Sequence, residues 1–156
     1  MEQPKWMLTV HCRIVSGLFD YFYDRGMIER ALPLGVKWAE LSVLIAGEYA
    51  PFSTNAYSKI ADMHYEHGFI EAAESLYKRS LELAQFSMRH DHPELGTTYN
   101  NLGAVLAHLG KHEEALVCYE KAMVVAESNP GFLDQDIVET ISANMAACRQ
   151  LLGYAH

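Results

Sequence analysis

Apolar residues recur at helical spacing in the second half of the chain. In YNNLGAVLAHLG, Tyr99, Leu102, Leu106 and Leu109 fall on one stripe, and in EEALVCYEKAMVVA the residues Ala115, Tyr119, Ala122 and Val125 do the same. Gly110 separates the two runs. A glycine just past a helix can take the left-handed conformation that closes it. The stretch therefore predicts a helical hairpin rather than one long helix. Gly103 and Ala115 would let the two backbones approach closely, with Tyr119 filling the space beside them. The same reading along the chain predicts seven helices, near 5–24, 28–47, 52–66, 70–89, 94–108, 112–128 and 134–152.

The pattern repeats. Gly26, Gly68 and Gly110 stand 42 residues apart, and Gly153 follows 43 later. Ala31, Ala73 and Ala115 fall at one fixed distance after the first three glycines, and Glu29, Glu71 and Glu113 at another. Leu18, Ile60, Leu102 and Met145 share a register before each glycine, and Pro51 and Pro93 each open the next helical segment. One hairpin cannot bury its apolar stripe alone, whereas stacked hairpins can. The expected fold is all-α, a right-handed α-solenoid of about three and a half hairpin units with a concave and a convex face. One domain over 1–156 is expected, with units near 5–50, 51–92 and 93–132 and a terminal capping helix over 134–152.

These residues resemble the tetratricopeptide repeat (TPR). Its series of aromatic, Leu, small, Gly, Ala, aromatic and Ala stands here as Tyr99, Leu102, Gly103, Gly110, Ala115, Tyr119 and Ala122. The middle unit has Tyr57, Ile60, Ala61, Gly68, Ala73 and Tyr77, with Ser80 in the last small position. The period is longer than is usual for the family, and HPELGTTYNNLGAVLAHLGKHEEALVCYEKA looks like the longer repeats of kinesin light chains. The resemblance covers about residues 10–156 and rests on packing residues, so it speaks to fold more than to function. The first unit departs from the series: Phe19 replaces the small residue, Gly35 the aromatic and Trp38 the late Ala. Gly35 and Trp38 read as an exchange of volumes on one helix. Arg149, where earlier units have Phe22, His64 and Leu106, suits a solvated cap.

Charge narrows the partner. The net charge is −8 and there is no basic run, which disfavours nucleic acid and an anionic membrane surface. No apolar run is long enough to span a bilayer, and the N-terminus does not read as a signal peptide. Cys12, Cys118 and Cys148 form an odd set without a CxxC motif, each in an apolar helical context. Buried free thiols and a reducing, cytoplasmic setting are expected.

No catalytic motif stands out, so no enzyme activity, cofactor or metal is expected. His90, Asp91 and His92 in RHDHPE read as a polar loop before a helix-opening Pro rather than as metal ligands. His64 and His67 fall near a helix C-terminus, where a partly charged imidazole suits the dipole. The candidate site is instead the polar stripe that the first helix of each unit would present to the concave groove. In the first unit it is Arg13, Ser16, Asp20, Tyr23 and Asp24. In the second it is Asn55, Ser58, Asp62, Tyr65 and Glu66. In the third it is Thr97, Asn100, Asn101, Ala104 and His108, and in the last Thr140, Asn144, Ala147 and Gln150.

Asp20/Asp62, Tyr23/Tyr65 and Asp24/Glu66 recur at the repeat step as a ladder of carboxylates and tyrosines. Asp20, Asp62 and Glu66 are expected to face solvent. Asn100, Asn101 and Asn144 could bond a peptide backbone. Some TPR domains grip an acidic C-terminal peptide with a basic clamp, but positions here carry Ser16, Asp20 and Lys59, and only Lys59 has the right sign. The expected function is a protein–protein interaction module that takes a basic or amphipathic peptide or helix into the groove. A chaperone for a secreted or assembly partner, and a fragment of a larger TPR protein, are the alternatives. Self-association through the terminal helices is a further expectation.

Overall fold

The computed structural model describes residues 4–46, 51–87, 89, 92–131 and 133–154. It holds α1 (Lys5–Tyr23), α2 (Ile28–Ala46), α3 (Pro51–Glu66), α4 (Ile70–Ser87), α5 (Pro93–His108), α6 (His112–Ser128) and α7 (Gln135–Leu151), with no strand among the described residues. Each helix lies within two residues of its expected bounds. Contacts run from each helix to the next, α1 on α2 through α6 on α7, as they do in a solenoid.

The repeated glycines end helices as expected. Gly26, Gly68, Gly110 and Gly153 have φ of 67°, 81°, 74° and 71°, in the left-handed region. At Gly110 the backbone N–H bonds to the Ala107 carbonyl at 3.0 Å, and the next N–H, of Lys111, reaches back to Leu106 at 2.9 Å. The same pair of bonds forms at the other three glycines: from Met27 to Phe22, Phe69 to His64 and Tyr154 to Arg149. Four copies of this Schellman closure satisfy carbonyls that a bare helix end would leave open.

The small residues act where the pattern placed them. A Cβ on Gly103 would stand 2.7 Å from the Tyr119 ring, which is itself fully buried. The second hairpin places Ala61 and Tyr77, both buried, at the same positions. In the first hairpin the exchange of volumes runs across the two helices, not along one as expected. A Cβ on Gly35 would meet the Phe19 ring at 2.9 Å and Ile60 at 3.0 Å, so the aromatic has moved from the second helix to the first. Trp38 leans on Phe19 with ring centroids 5.6 Å apart. Gly103→Ala gains helix propensity, but its methyl has no room beside Tyr119. We expect a net loss of about 1–2 kcal/mol in urea unfolding, and parent-like stability would mean the Tyr119 ring yields freely.

Two clusters make the core. One joins α1 and α2 to Ala56, Ile60 and Met63 of α3, and the other runs from Ala61 through α4, α5 and α6 to Ile141 and Cys148 of α7. Cys12, Cys118 and Cys148 are buried free thiols, and burial raises the pKa of each. Leu18 breaks the expected register: its counterparts Ile60 and Leu102 are buried, while Leu18 is 42% exposed. Arg149 is half exposed and pairs with Glu120 at 3.3 Å, in keeping with a solvated surface.

Candidate functional site

Polar side chains of α1, α3 and α5 meet on one face of the solenoid, and they do so in a repeating way. Asp20 of α1 takes the Lys59 ammonium of α3 at 2.8 Å. One repeat later, Asp62 of α3 accepts from the Asn101 amide of α5 at 3.0 Å. Both pairs are separated by 39 residues, so they are the same strut in successive units. A second strut repeats likewise. The Tyr23 hydroxyl donates to Glu66 at 2.5 Å across 43 residues. Tyr65, the counterpart of Tyr23, meets the His108 ring edge-on at 6.0 Å, at the matching position one unit on.

Asp62 lies deepest. Its Oδ1 accepts from the Tyr77 hydroxyl as well as from Asn101. Burial raises its carboxyl pKa, and the two donated hydrogen bonds pull the other way. Burial and the neighbouring carboxylates raise the Tyr77 and Tyr23 hydroxyls well above the usual phenol range. Asp62 therefore does not face solvent freely, contrary to the sequence expectation. The hydroxyls form a smaller cluster. Ser58 sits 2.7 Å from the Ser80 hydroxyl and 3.3 Å from that of Thr98, while Ser80 donates to the Thr54 carbonyl.

Two clefts flank the Asp62–Asn101 bridge. The first, about 390 Å³, is lined by Tyr23, Asp62, Tyr65, Glu66, Tyr77, Asn101 and Ala104. The second, about 270 Å³, is lined by Thr54, Asn55, Ser58, Lys59, Asp62, Glu94, Thr97, Thr98 and Asn101. The structure thus brings together Tyr23, Asn55, Ser58, Asp62, Tyr65, Glu66 and Asn101 of the expected stripe, with Thr97 and Ala104. Arg13, Ser16, Asp20, Asp24, Asn100, His108 and Asn144 line neither cleft. Ser16 turns back onto the Arg13 carbonyl. Asn100 donates to Asn101. Asn144 is half-buried on α7, and burial pushes the pKa of the Tyr119 hydroxyl up to about 12. Thr140, Ala147 and Gln150 are exposed on α7.

The sequence reading missed Thr54, Lys59, Tyr77, Glu94 and Thr98 as lining residues. The signal was present: residues 39 to 43 apart, one repeat length corrected for the slant between neighbouring helices, are complementary. The histidines do other work. His92 accepts from the Glu94 N–H at the start of α5, and His64 and His67 donate to carbonyls of the last turns of α3. His90 and Asp91 lie outside the described residues. Among those described, no group of three His, Cys, Asp or Glu could hold a metal ion. Nor is any described helix long and apolar enough to cross a membrane.

Comparisons place this architecture. The tetratricopeptide repeat profile matches residues 52–128. No curated protein sequence matches the chain. Among solved structures, BtubC (BKLC) of P. vanneervenii superposes with a TM-score of 0.84 at 20% identity, covering 97% of this chain. The chain spans 59% of the length of that protein. A structure of nearly identical TPR-like repeats assigned to a kinesin light chain of Podosopora anserina gives 0.76 at 16% identity, over 98% of this chain and 70% of the other. The first TPR domain of human RPAP3 gives 0.61 at 17% identity, over 89% and 95%. At these identities the likeness is one of fold. The profile thus identifies tetratricopeptide repeats over residues 52–128, and the solenoid fold continues over nearly the whole chain, its 42-residue units resembling those of kinesin light chains.

Proposed function

We propose that the chain is a non-enzymatic interaction module, acting as one repeat domain over 1–156, that takes a basic or amphipathic peptide or helix of another protein into its groove. TPR domains in general bind other proteins, which supplies the class of activity. The observation that carries the specific reading is the first cleft, where Tyr23 and Tyr65 stand beside Glu66 and Asp62. Tyrosine rings offer apolar or cation–π contact to a Lys or Arg side chain, and carboxylates supply the field that draws it in. The charge is less evenly available than the bare ladder implies. Asp20 is neutralised by Lys59 and Asp62 is engaged by Tyr77 and Asn101. Glu66 gives one oxygen to Tyr23 and keeps the other, so it is the leading anchor for a cation. Exposed Asp24 adds to the field at the groove's N-terminal end. We place the groove in a cytoplasmic protein.

The test is titration of fluorescent peptides that share an apolar core but carry Lys/Arg or Asp/Glu flanks. The basic series is expected to bind and the acidic series not. Glu66→Gln keeps an acceptor for Tyr23 while removing the charge. It is expected to weaken basic-peptide binding by roughly three- to tenfold at low salt, a loss that shrinks as salt screens the long-range field. Tyr65→Ala is expected to weaken binding at every salt concentration through faster dissociation. Equal binding of both peptide series, or no effect of either substitution, sinks the reading.

A further inference from the structure

α1 has an outer face that its counterparts do not leave open. Ile14, Leu18 and Tyr21 occupy the positions that become Ala56, Ile60 and Met63 in α3 and Thr98, Leu102 and Val105 in α5, all six of them buried. The corresponding helices α3, α5 and α7 pack on the second helix of the unit before them. No described helix precedes α1. Its residues Trp6, Val10, Ile14, Leu18 and Tyr21 are consequently 42–67% exposed. Four of these, from Trp6 to Leu18, succeed one another at i+4 and make one continuous stripe on the side opposite Cys12 and Phe19. Exposed apolar stripes of this length on a soluble domain mark an interface.

We propose that a second copy of this chain covers the stripe, with the two α1 helices antiparallel about a two-fold axis. Three observations favour a copy over an unrelated helix. First, the edge of the stripe is electrostatically self-complementary. Arg13 and Asp24 lie eleven residues apart, about three turns, and so on the same side of the helix. Neither makes an ion pair among the described residues. An antiparallel two-fold pairing centred near Leu18 sets like edges side by side, so Arg13 of each copy faces Asp24 of the other across Ile14, Leu18 and Tyr21, with Trp6 and Val10 beyond the crossing.

Second, α1 is the only one of the seven described helices in which Lys and Arg outnumber Asp and Glu, two against one. With a net charge of −8, two copies repel least when they meet there. Third, Gly17 lies within the exposed face, and a Cβ there would meet nothing within 4 Å. That gap can receive an apolar side chain from the facing helix. The apolar residues of the stripe line neither cleft, so Ile14→Glu tests the pairing without touching the groove.

Sedimentation velocity of the full chain over a concentration series tests the pairing. The parent is expected to shift from monomer to dimer as concentration rises. Ile14→Glu is expected to weaken that association by roughly a hundredfold, as loss of a central buried anchor does, with the circular dichroism spectrum and melting curve unchanged because the residue is exposed. Arg13→Glu and Asp24→Arg are each expected to weaken it, and the double exchange to restore it. Tyr65→Ala, in the groove, is expected to leave the dimer intact. A parent that remains monomeric to its solubility limit overturns the proposal and leaves the face to a partner's helix. A dimer indifferent to both Ile14→Glu and the charge exchange overturns it as well.

Discussion

Phe19→Ala is expected to cost about 3–5 kcal/mol, the usual range for deleting a buried aromatic ring. Phe19 is fully buried, stacks on Tyr23 at 5.7 Å and supports Trp38 at 5.6 Å. Its removal leaves a void between α1 and α2 that Ile60 of α3 also borders. The decisive comparison is with the double variant Phe19→Ala, Gly35→Phe. That change rebuilds in the first hairpin the arrangement of Ala61 and Tyr77 in the second, with a small residue on the first helix and the ring on the second. Urea unfolding is expected to show the double variant regaining more than half of the loss, whereas Gly35→Phe alone overpacks against the native Phe19 ring and destabilises. Additive losses in the double variant would show that the two positions do not share one volume.

The second large effect centres on Asp62. Asp62→Lys removes the acceptor for the Tyr77 hydroxyl and the Asn101 amide and half-buries an ammonium group in their place. We expect a loss of about 2–4 kcal/mol, the cost of two stranded donors and a poorly solvated charge. Asp62→Asn keeps a carbonyl oxygen for both donors, so at neutral pH it is expected to be at least as stable as the parent.

The pH dependence separates these contributions. Burial raises the Asp62 pKa in the folded state. A raised pKa means that the folded protein holds the proton more tightly than the unfolded chain. That favourable contribution is complete below the unfolded value of about 4 and is lost as pH rises through the folded value. Melting temperatures of parent and Asp62→Asn should therefore diverge as pH rises above about 4, with the Asn variant gaining. Parallel curves would mean that the donated hydrogen bonds offset burial, and a parent that gains on the Asn variant as pH rises would mean that they outweigh it. The same reasoning explains the choice of Glu66 for the binding test: a reversal at Asp62 would confound recognition with unfolding.

The fold could be read from the sequence because its determinants recur. Gly26, Gly68 and Gly110 each need the left-handed conformation, and Gly103 with Tyr119 states a close approach of two helices in two residues. Such requirements are local and leave a periodic trace. The groove was legible only in part. The stripe on the first helices located the face, and nine of its nineteen residues line the two clefts. What each polar side chain does there depends on its neighbour in the next repeat. Asp20 and Asp62 look alike in sequence, yet one carries a lysine and the other a tyrosine and an asparagine. Asn144 matched the stripe but lines neither cleft. The exchange between Phe19 and Gly35 was visible as two anomalies and could not be joined into one until the helices were set side by side.

The division of the core at α3 has a kinetic side. Ile60 and Met63 belong with the first hairpin and Ala61 with the rest, so the helix serves as a hinge line between two cooperative units. Repeat arrays unfold by such units, and the end unit, secured by one neighbour only, opens at the lowest free energy. The links across the line on the groove side are Asp20–Lys59 and Tyr23–Glu66, both near the surface. A ligand held between Tyr23 and Tyr65 would bridge the two units, converting part of its binding free energy into protection of the α1–α2 amides against solvent exchange.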